Sequence, residues 1–218
     1  MTIPINVTKL SLKLTDNVKI LQDKINRGIA DHINALFVSN ERYTENQVLD
    51  LVGVWIRSQP EMVSLALSGD DNSLAGHFGL PAGTANSVAN TIVTSIQQAT
   101  RVVVKKVDNK LNGGLILECQ PSNFANLLGL PTGYTEVTGG SLHWLKWLLE
   151  SGHKTLIVDY HYTPASGFGR SRLGVMTKGG AWRVPPEFAG TIEDNFVTRA
   201  FKNKQNDLNA LFGRILKS

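Results

Sequence analysis

The residues in this chain most suggestive of chemistry are Asp159 and His161, in the run KTLIVDYHY (154–162). Two positions apart on an extended strand, their side chains share one face. With His153 close in sequence they offer imidazole and carboxylate, a donor set that suits several divalent ions. No H-x-x-x-H spacing or paired acidic motif accompanies them, so the expectation is a polar sheet face whose groups bond to one another. The run GFGRSRLG (167–174) raises a nucleotide loop. Gly167 and Gly169 supply G-x-G, but Arg172 stands where the third glycine of G-x-G-x-x-G is required. The residues after it read as strand, not as the helix N-terminus that receives a pyrophosphate. No G-x-x-x-x-G-K-[ST] and no G-x-S-x-G is present.

The one cysteine, Cys119, excludes an internal disulfide and a multi-cysteine zinc site, and it is expected as a small core residue in a strand. His32 and His77 fall in helical stretches without a ligand pattern, and His143 beside Trp144 is expected to pack. The adjacent acidic pairs are Asp70-Asp71 and Glu193-Asp194, the second at a helix start, where the dipole explains it. Zinc-finger spacing and an RRM aromatic motif are missing. The expectation is therefore no catalytic residue, no metal ligand and no cofactor.

The elements that position these residues are helices first and strands second. Val18, Leu21, Ile25, Ile29, Ile33 and Leu36 recur every three or four residues, which predicts one amphipathic helix over 15–37 with Thr15 as cap and Asp16 beside it. A second helix is expected from Thr44, with Gln47 completing a capping box. A short third begins at Pro60 and closes at Gly69, and another spans 84–99. SLAGHFGLPAG (73–83) and NFANLLGLPTG (123–133) both read as short helices stopped by glycine, leucine and proline. RVVVKKV (101–107) and GLILECQ (114–120) should pair as a hairpin. A helix over 141–150 offers Trp144, Leu145, Leu148 and Leu149 for packing, and 154–162 is a strand. RLGVMTK (172–178) and AWRV (181–184) are expected to form a second hairpin around Gly179-Gly180. A final helix over 192–216 has Thr191 and Asp194 in cap and box positions. The fold class is α+β: N-terminal helices, a small mostly antiparallel β-sheet with an extended β-hairpin arm, and a C-terminal helix. A single domain over 1–218 is expected, mainly helical over 1–100, sheet and arm over 101–190, and the closing helix over 191–218.

The 218 residues are of ordinary globular composition, 42% hydrophobic and 18% charged. The N-terminal MTIPINVTKLSLKL lacks the apolar core of a signal peptide, and no apolar run approaches the roughly 18 residues of a membrane span. Intracellular synthesis and no membrane partner are expected. The formal charge is +4, and residues 159–218 hold the whole excess, with nine Lys/Arg against five Asp/Glu. A basic quarter of this kind can face an acidic protein surface or nucleic acid.

The stretch SGFGRSRLGVMTKGGAWRVPPEFAG (166–190) reads as a loose glycine lead-in, a hairpin and a stiff exit. Arg170, Arg172 and Arg183 offer forked donors; Val175, Met176, Trp182 and Phe188 offer apolar contact; Pro185 and Pro186 fix the exit direction. An open strand edge is a liability on a monomer and an assembly device beside a neighbour. The expectation is an arm between subunits.

The run DYHYTPASGFGRSRLGVMTKGGAWRVPPEFAGTIEDNFVTRAF (159–201) resembles the C-terminal region of neck and tail-completion virion proteins of tailed bacteriophages. The pattern is a tyrosine-rich strand, G-R-S, a hydrophobic strand, W-R-V-P-P-E-F-A-G-T, then D-N-F-x-T-R-A opening a helix. The upstream GGSLHWLKWLLESGHK (139–154) is similar to the same group, and the likeness weakens before Gly139. One departure is Arg172-Leu173, where a smaller or more flexible step is expected. The resemblance implies a non-enzymatic structural protein of the virion, made in the host cytoplasm. It implies a ring, commonly six-fold, of head–tail connector or tail-terminator type. The ring's neighbours would be other neck, portal-side, tail-tube or sheath proteins, with genomic DNA passing through the lumen without specific binding. Asn195 and Arg199, in D-N-F-x-T-R-A, join the arm residues as expected interface positions. The alternative is a nucleic-acid-binding module using the basic C-terminal quarter.

Overall fold

Helical periodicity dominates the first hundred residues, and among the described residues five helices form there: α1 (Val18–Ser39), α2 (Glu41–Arg57), α3 (Pro60–Ala66), α4 (Leu74–His77) and α5 (Ala85–Gln98). The computed structural model describes residues 17–67, 69–119, 123–137, 140–152, 154–155 and 157–217. Thr15 and Asp16, expected as cap and neighbour of α1, lie outside the described residues; Asn17 caps the helix, its side chain accepting from the Lys19 N–H at 3.1 Å. The second helix starts three residues before the expected Thr44, because only Asn40 separates it from α1. Thr44 is buried within it, and its hydroxyl has no partner there. Pro60 opens α3 as expected, in the first turn where a missing N–H costs nothing.

The two glycine-leucine-proline stops behave differently. After α4, the Leu80 N–H reaches the Ala75 carbonyl and the Gly79 N–H reaches the Gly76 carbonyl, both at 3.0 Å, with Gly79 at φ +60°. That is the Schellman geometry the sequence predicts. After α6 (Ala125–Leu128) it does not form. Gly129 keeps a right-handed φ of −82°, and the left-handed residue is Phe124, ahead of the helix. Pro131–Gly133 continues as a 3₁₀ turn packed on Leu145, so packing decides between two copies of the same letters.

Among the described residues the strands make three separate antiparallel ribbons in place of the one small sheet expected. The predicted hairpin of β1 (Thr100–Lys105) and β2 (Gly114–Cys119) forms, pairing Thr100 with Cys119 and Lys105 with Gly114. β3 (Thr135–Val137) pairs with β4 (Gly140–Leu142), and β5 (Ile157–Pro164) with β6 (Gly174–Trp182). The hairpin expected around Gly179-Gly180 is a misreading. The strand β6 runs straight through both glycines, and its partner is β5. The register slips between the Val158–Ala181 and Tyr160–Lys178 pairs, where Asp159 sits at φ 64° opposite Gly179 and Gly180 at φ 109° and 81°. Two adjacent glycines serve a bulge as readily as a turn, since both need positive φ. The true turn is the loop 165–173.

The expected helix over 141–150 gives up Ser141 and Leu142 to β4. It begins as α7 (Trp144–Lys146) and widens into a π-helical turn over Trp147–Ser151. The expected final helix over 192–216 divides into α8 (Phe196–Phe201) and α9 (Gln205–Ile215), broken where Asn203 turns to φ 61°. One apolar core joins α2, α3, α4 and α5 to α7, α8 and the end of β6, through Ile56, Leu65, Leu74, Ile92, Trp144, Leu149, Trp182 and Phe196. Cys119 is exposed at the end of β2, not in the core as expected. A smaller cluster of Ala30, Phe37 and Val107 ties the C-terminal half of α1 to the loop after β1. The Asn34 amide fastens it by bonding both the N–H and the carbonyl of Val107, at 2.8 and 2.9 Å.

Candidate functional site

The 159–201 run is built against its own chain. Trp182 is 4% exposed and Val184 is fully buried, so the end of β6 is core. The indole N–H of Trp182 donates to Nδ1 of His77 at 3.1 Å. An indole can only donate, so Nδ1 is bare and the proton of a neutral imidazole lies on Nε2. Burial pushes the His77 pKa down to about 4, against the smaller opposing effect of the Glu187 charge. Tyr162 lies against the same ring at a centroid distance of 4.2 Å, and its hydroxyl donates to the Asp71 carbonyl at 2.6 Å. Burial, with Asp71 and Asp70 adding to it, pushes the Tyr162 phenol up to about 12. A neutral histidine is the usual general base, but here its free lone pair is already taken by the indole. The cluster is the joint that docks the β5–β6 ribbon on α4.

The lead-in is tight where the sequence suggested looseness. The Ala165 N–H reaches the Leu173 carbonyl at 2.9 Å, and the Gly167 N–H reaches the Arg172 carbonyl at 2.8 Å. The Ala82 N–H bonds the Arg170 carbonyl at 3.2 Å, and the Arg170 guanidinium donates to the Glu136 carbonyl. Arg172 adopts φ 59°, the left-handed region at the position where a more flexible residue was expected.

Asn195, expected at an interface, is fully buried and spent on folding. Its Oδ1 accepts from the N–H groups of Val197 and Thr198 at 3.0 and 3.1 Å, and the Thr198 hydroxyl oxygen accepts from the Asn195 N–H at 2.9 Å, closing a capping box. Its amide N–H₂ donates to the carbonyls of Leu149 and Thr191. This corrects the expected caps Thr191 and Asp194. Arg199 bonds Glu61, whose side chain is buried on α3, and Asp194 at 3.2 Å. Burial raises the Glu61 carboxyl above the usual range, against the pull of Arg199. Val175, Met176, Pro185 and Phe188 are half-buried, with Met176 and Phe188 packed on the core. Arg170, Arg172, Arg183 and Pro186 are exposed, although Arg170 is bonded as described.

The Asp159–His161 pairing does not form as a shared face, because the bulge falls on Asp159. His153 lies outside the described residues. His161 instead joins a cross-strand chain. Its Nδ1 faces the Gly179 carbonyl at 2.8 Å, its Nε2 faces the Thr177 hydroxyl at 2.9 Å, and that hydroxyl meets Thr163 Oγ1 at 2.7 Å. A carbonyl only accepts, so Nδ1 carries the proton and Nε2 accepts from Thr177. This is the order nucleophile, base, orienting group. It lies on an open strand face, with His161 exposed. The chain of bonds runs across the surface of the β5–β6 ribbon. Among the described residues no group of three or more His, Cys, Asp or Glu side chains is placed to hold a metal, and no helix is long and apolar enough to cross a membrane.

What sequence reasoning missed is α1. Its N-terminal half carries the amphipathic stripe, but Val18, Leu21, Ile25 and Ile29 are exposed instead of buried. Beside its C-terminal half lies a groove of about 740 Å³, walled by Ala35, Phe37, Val38 and, from β1, Val104. The only signal in the sequence was the stripe itself, which is the same whether its partner is intramolecular or not. Compared with protein-family profiles, with curated proteins and with solved structures, the chain has no match.

Proposed function

We propose that this chain is a structural virion protein of a tailed bacteriophage. It assembles as a ring in the neck or at the head-proximal end of the tail, as a connector, tail-completion or terminator protein. The observation that carries the reading is the 159–201 run and its likeness to that group. Its distinctive letters have definite folding roles: Trp182 and Val184 enter the core, Asn195 caps α8, and Arg199 pairs with Glu61. Gly190 sits where a Cβ would overlap the Leu148 carbonyl. A motif made of such residues preserves a shape, which is what a building block must preserve.

The exposed apolar stripe of α1 and the outer edges of the β5–β6 ribbon supply surfaces for neighbours. The basic quarter is partly committed within the chain: Arg170 and Arg199 are bonded, and Lys204 lies over the Trp55 ring at 5.7 Å. That favours protein contacts over a grip on passing DNA, which a nucleic-acid module would require. Imaging phage particles that carry a tagged copy of the chain tests the proposal. Label at the head–tail junction is expected; particles that assemble, eject DNA and carry no label overturn it.

A further inference from the structure

The loop that joins β1 to β2 contains the one Asn-Gly step in the 218 residues, Asn112-Gly113. An asparagine side-chain amide can be attacked by the backbone nitrogen of the residue that follows it. The attack needs that nitrogen free of a hydrogen bond, able to lose its proton and unshielded by a side chain. Asn112 and Gly113 are both exposed, and the Gly113 N–H has no acceptor among the described residues. Glycine carries no Cβ to cover the nitrogen.

The loop's own bonds add to this. Asp108 Oδ1 accepts from the N–H groups of Lys110 and Asn112 at 2.8 and 2.9 Å, and the Asp108 N–H donates to the Asn112 carbonyl at 2.9 Å. The last of these draws electron density from the peptide group that carries the Gly113 nitrogen and makes its N–H more acidic. The Asp108 carboxylate acts the other way: its charge opposes the nitrogen anion, and it attracts the Asn112 side-chain amide. Asp108 is exposed, so water and salt screen its charge, whereas the bond to the carbonyl acts within the reacting peptide group.

We propose that Asn112 is a site of spontaneous deamidation and that its isoaspartyl product loosens α1 from the β1–β2 hairpin. The Gly113 nitrogen bonds to Cγ of Asn112, the Cγ–Nδ2 bond breaks, and the proton lost by the Gly113 N–H leaves with the amide as ammonia. Water then opens the cyclic imide at either carbonyl, giving aspartate or isoaspartate.

The isoaspartyl form threads the main chain through the former side chain. It adds a methylene to the backbone just before Gly113 and leaves a new carboxylate near Asp108. Gly113 has little room to shift. Its φ is 156°, and a Cβ placed on it would stand 2.6 Å from the Val107 Cα. Val107 is the residue that the Asn34 amide clamps and that packs with Ala30 and Phe37 of α1. Lengthening the chain at 112 therefore displaces the residue that holds the C-terminal half of α1.

Ageing the full-length chain at about pH 8 and 37 °C tests both parts. Mass spectrometry of tryptic peptides should find NH replaced by O at Asn112, in the peptide that begins at Leu111, and an isoaspartyl methyltransferase should label that peptide. Asn112→Gln must close a larger and slower-forming ring, so it should stay unmodified at this position. Hydrogen exchange should find the α1 amides over 30–39 exchanging about tenfold faster in the aged parent than in the fresh one, matching the loss of one valine's packing. Aged Asn112→Gln should match its own fresh sample.

No conversion at 112 in the folded chain, while the urea-unfolded chain converts, overturns the site, because the loop then protects the amide. Conversion with unchanged exchange in α1 overturns the coupling through Val107. Equal loosening of α1 in aged Asn112→Gln also overturns it, since the cause then lies elsewhere in the chain.

Discussion

Acidification should loosen the joint between the β5–β6 ribbon and α4, and the size of the effect is set by His77. In the folded chain its pKa is held down at about 4, mainly by burial, whereas the ordinary value is 6.5. The unfolded chain therefore binds a proton that the folded chain refuses between those values. Stability is undiminished above pH 6.5, falls as pH drops, and stops falling on this account below about 4. The gap, at 1.36 kcal/mol for each pH unit, sets a maximum loss of about 3 kcal/mol. That is a large part of the 5–15 kcal/mol typical of a domain. Glu61 works in the opposite direction. Its raised pKa makes the folded chain the better proton binder above 4.5, so its contribution is full below that value and fades as pH rises.

The His77 part is isolated with His77→Asn, which keeps an acceptor near the Trp182 indole but does not titrate. Urea unfolding followed by tryptophan fluorescence, at steps between about pH 7 and 4.5, should show the parent losing roughly 2 kcal/mol more than the variant over that range. At pH 7 the variant should already be weaker by about 1–2 kcal/mol from lost ring packing. If parent and variant lose stability in parallel as pH falls, the buried neutral imidazole is not the source and the reasoning fails.

Three further substitutions probe the frame around the ribbon. Arg199→Met leaves the Glu61 carboxylate buried without its cation and should cost about 3–5 kcal/mol near pH 7. That deficit should shrink toward pH 4.5 as Glu61 protonates, which denaturant titration at the two pH values would show. Gly190→Ala drives a methyl group into the Leu148 carbonyl and should destabilise by roughly 2–3 kcal/mol, read as a lowered Tm. Asn195→Ala removes the α8 cap and the amide bonds to Leu149 and Thr191, a loss of about 2 kcal/mol in equilibrium unfolding; Asn195→Asp, which keeps the cap oxygen, should recover part of it.

Local patterns were legible wherever a neighbour in sequence supplied the physics. Pro60 began a helix, Gly79 ended one, and the β1–β2 hairpin closed in the expected place. The aliphatic repeats of α2 and α5, and the apolar positions of α7 and its π-helical turn, found the core. The reading failed where a distant residue casts the deciding vote. Gly179-Gly180 looked like a turn because nothing near it in sequence revealed that β5 lay alongside. Asn195 bonds the Val197 and Thr198 N–H groups and the Thr191 carbonyl, all within four residues, and the one bond that only the docking of α8 supplies is to the distant Leu149 carbonyl. The candidate partner surface was half legible. The stripe on α1 was plain, but a stripe does not say what covers it.

The order of letters, then, determined that this chain is α+β, with helices leading and a helix closing, because periodicity and caps act within a few residues of themselves. It also determined that these 218 residues, with a single cysteine, form no internal disulfide. Tertiary structure alone decided that the glycine-rich ribbon lies on α4 through His77, Tyr162 and Trp182, and that the described residues leave Val18, Ile25 and Ile29 of α1 exposed. Those outcomes depend on which apolar surfaces pack together in the core. That is settled by shape and burial between residues a hundred positions apart, a distance over which sequence pattern carries no geometry.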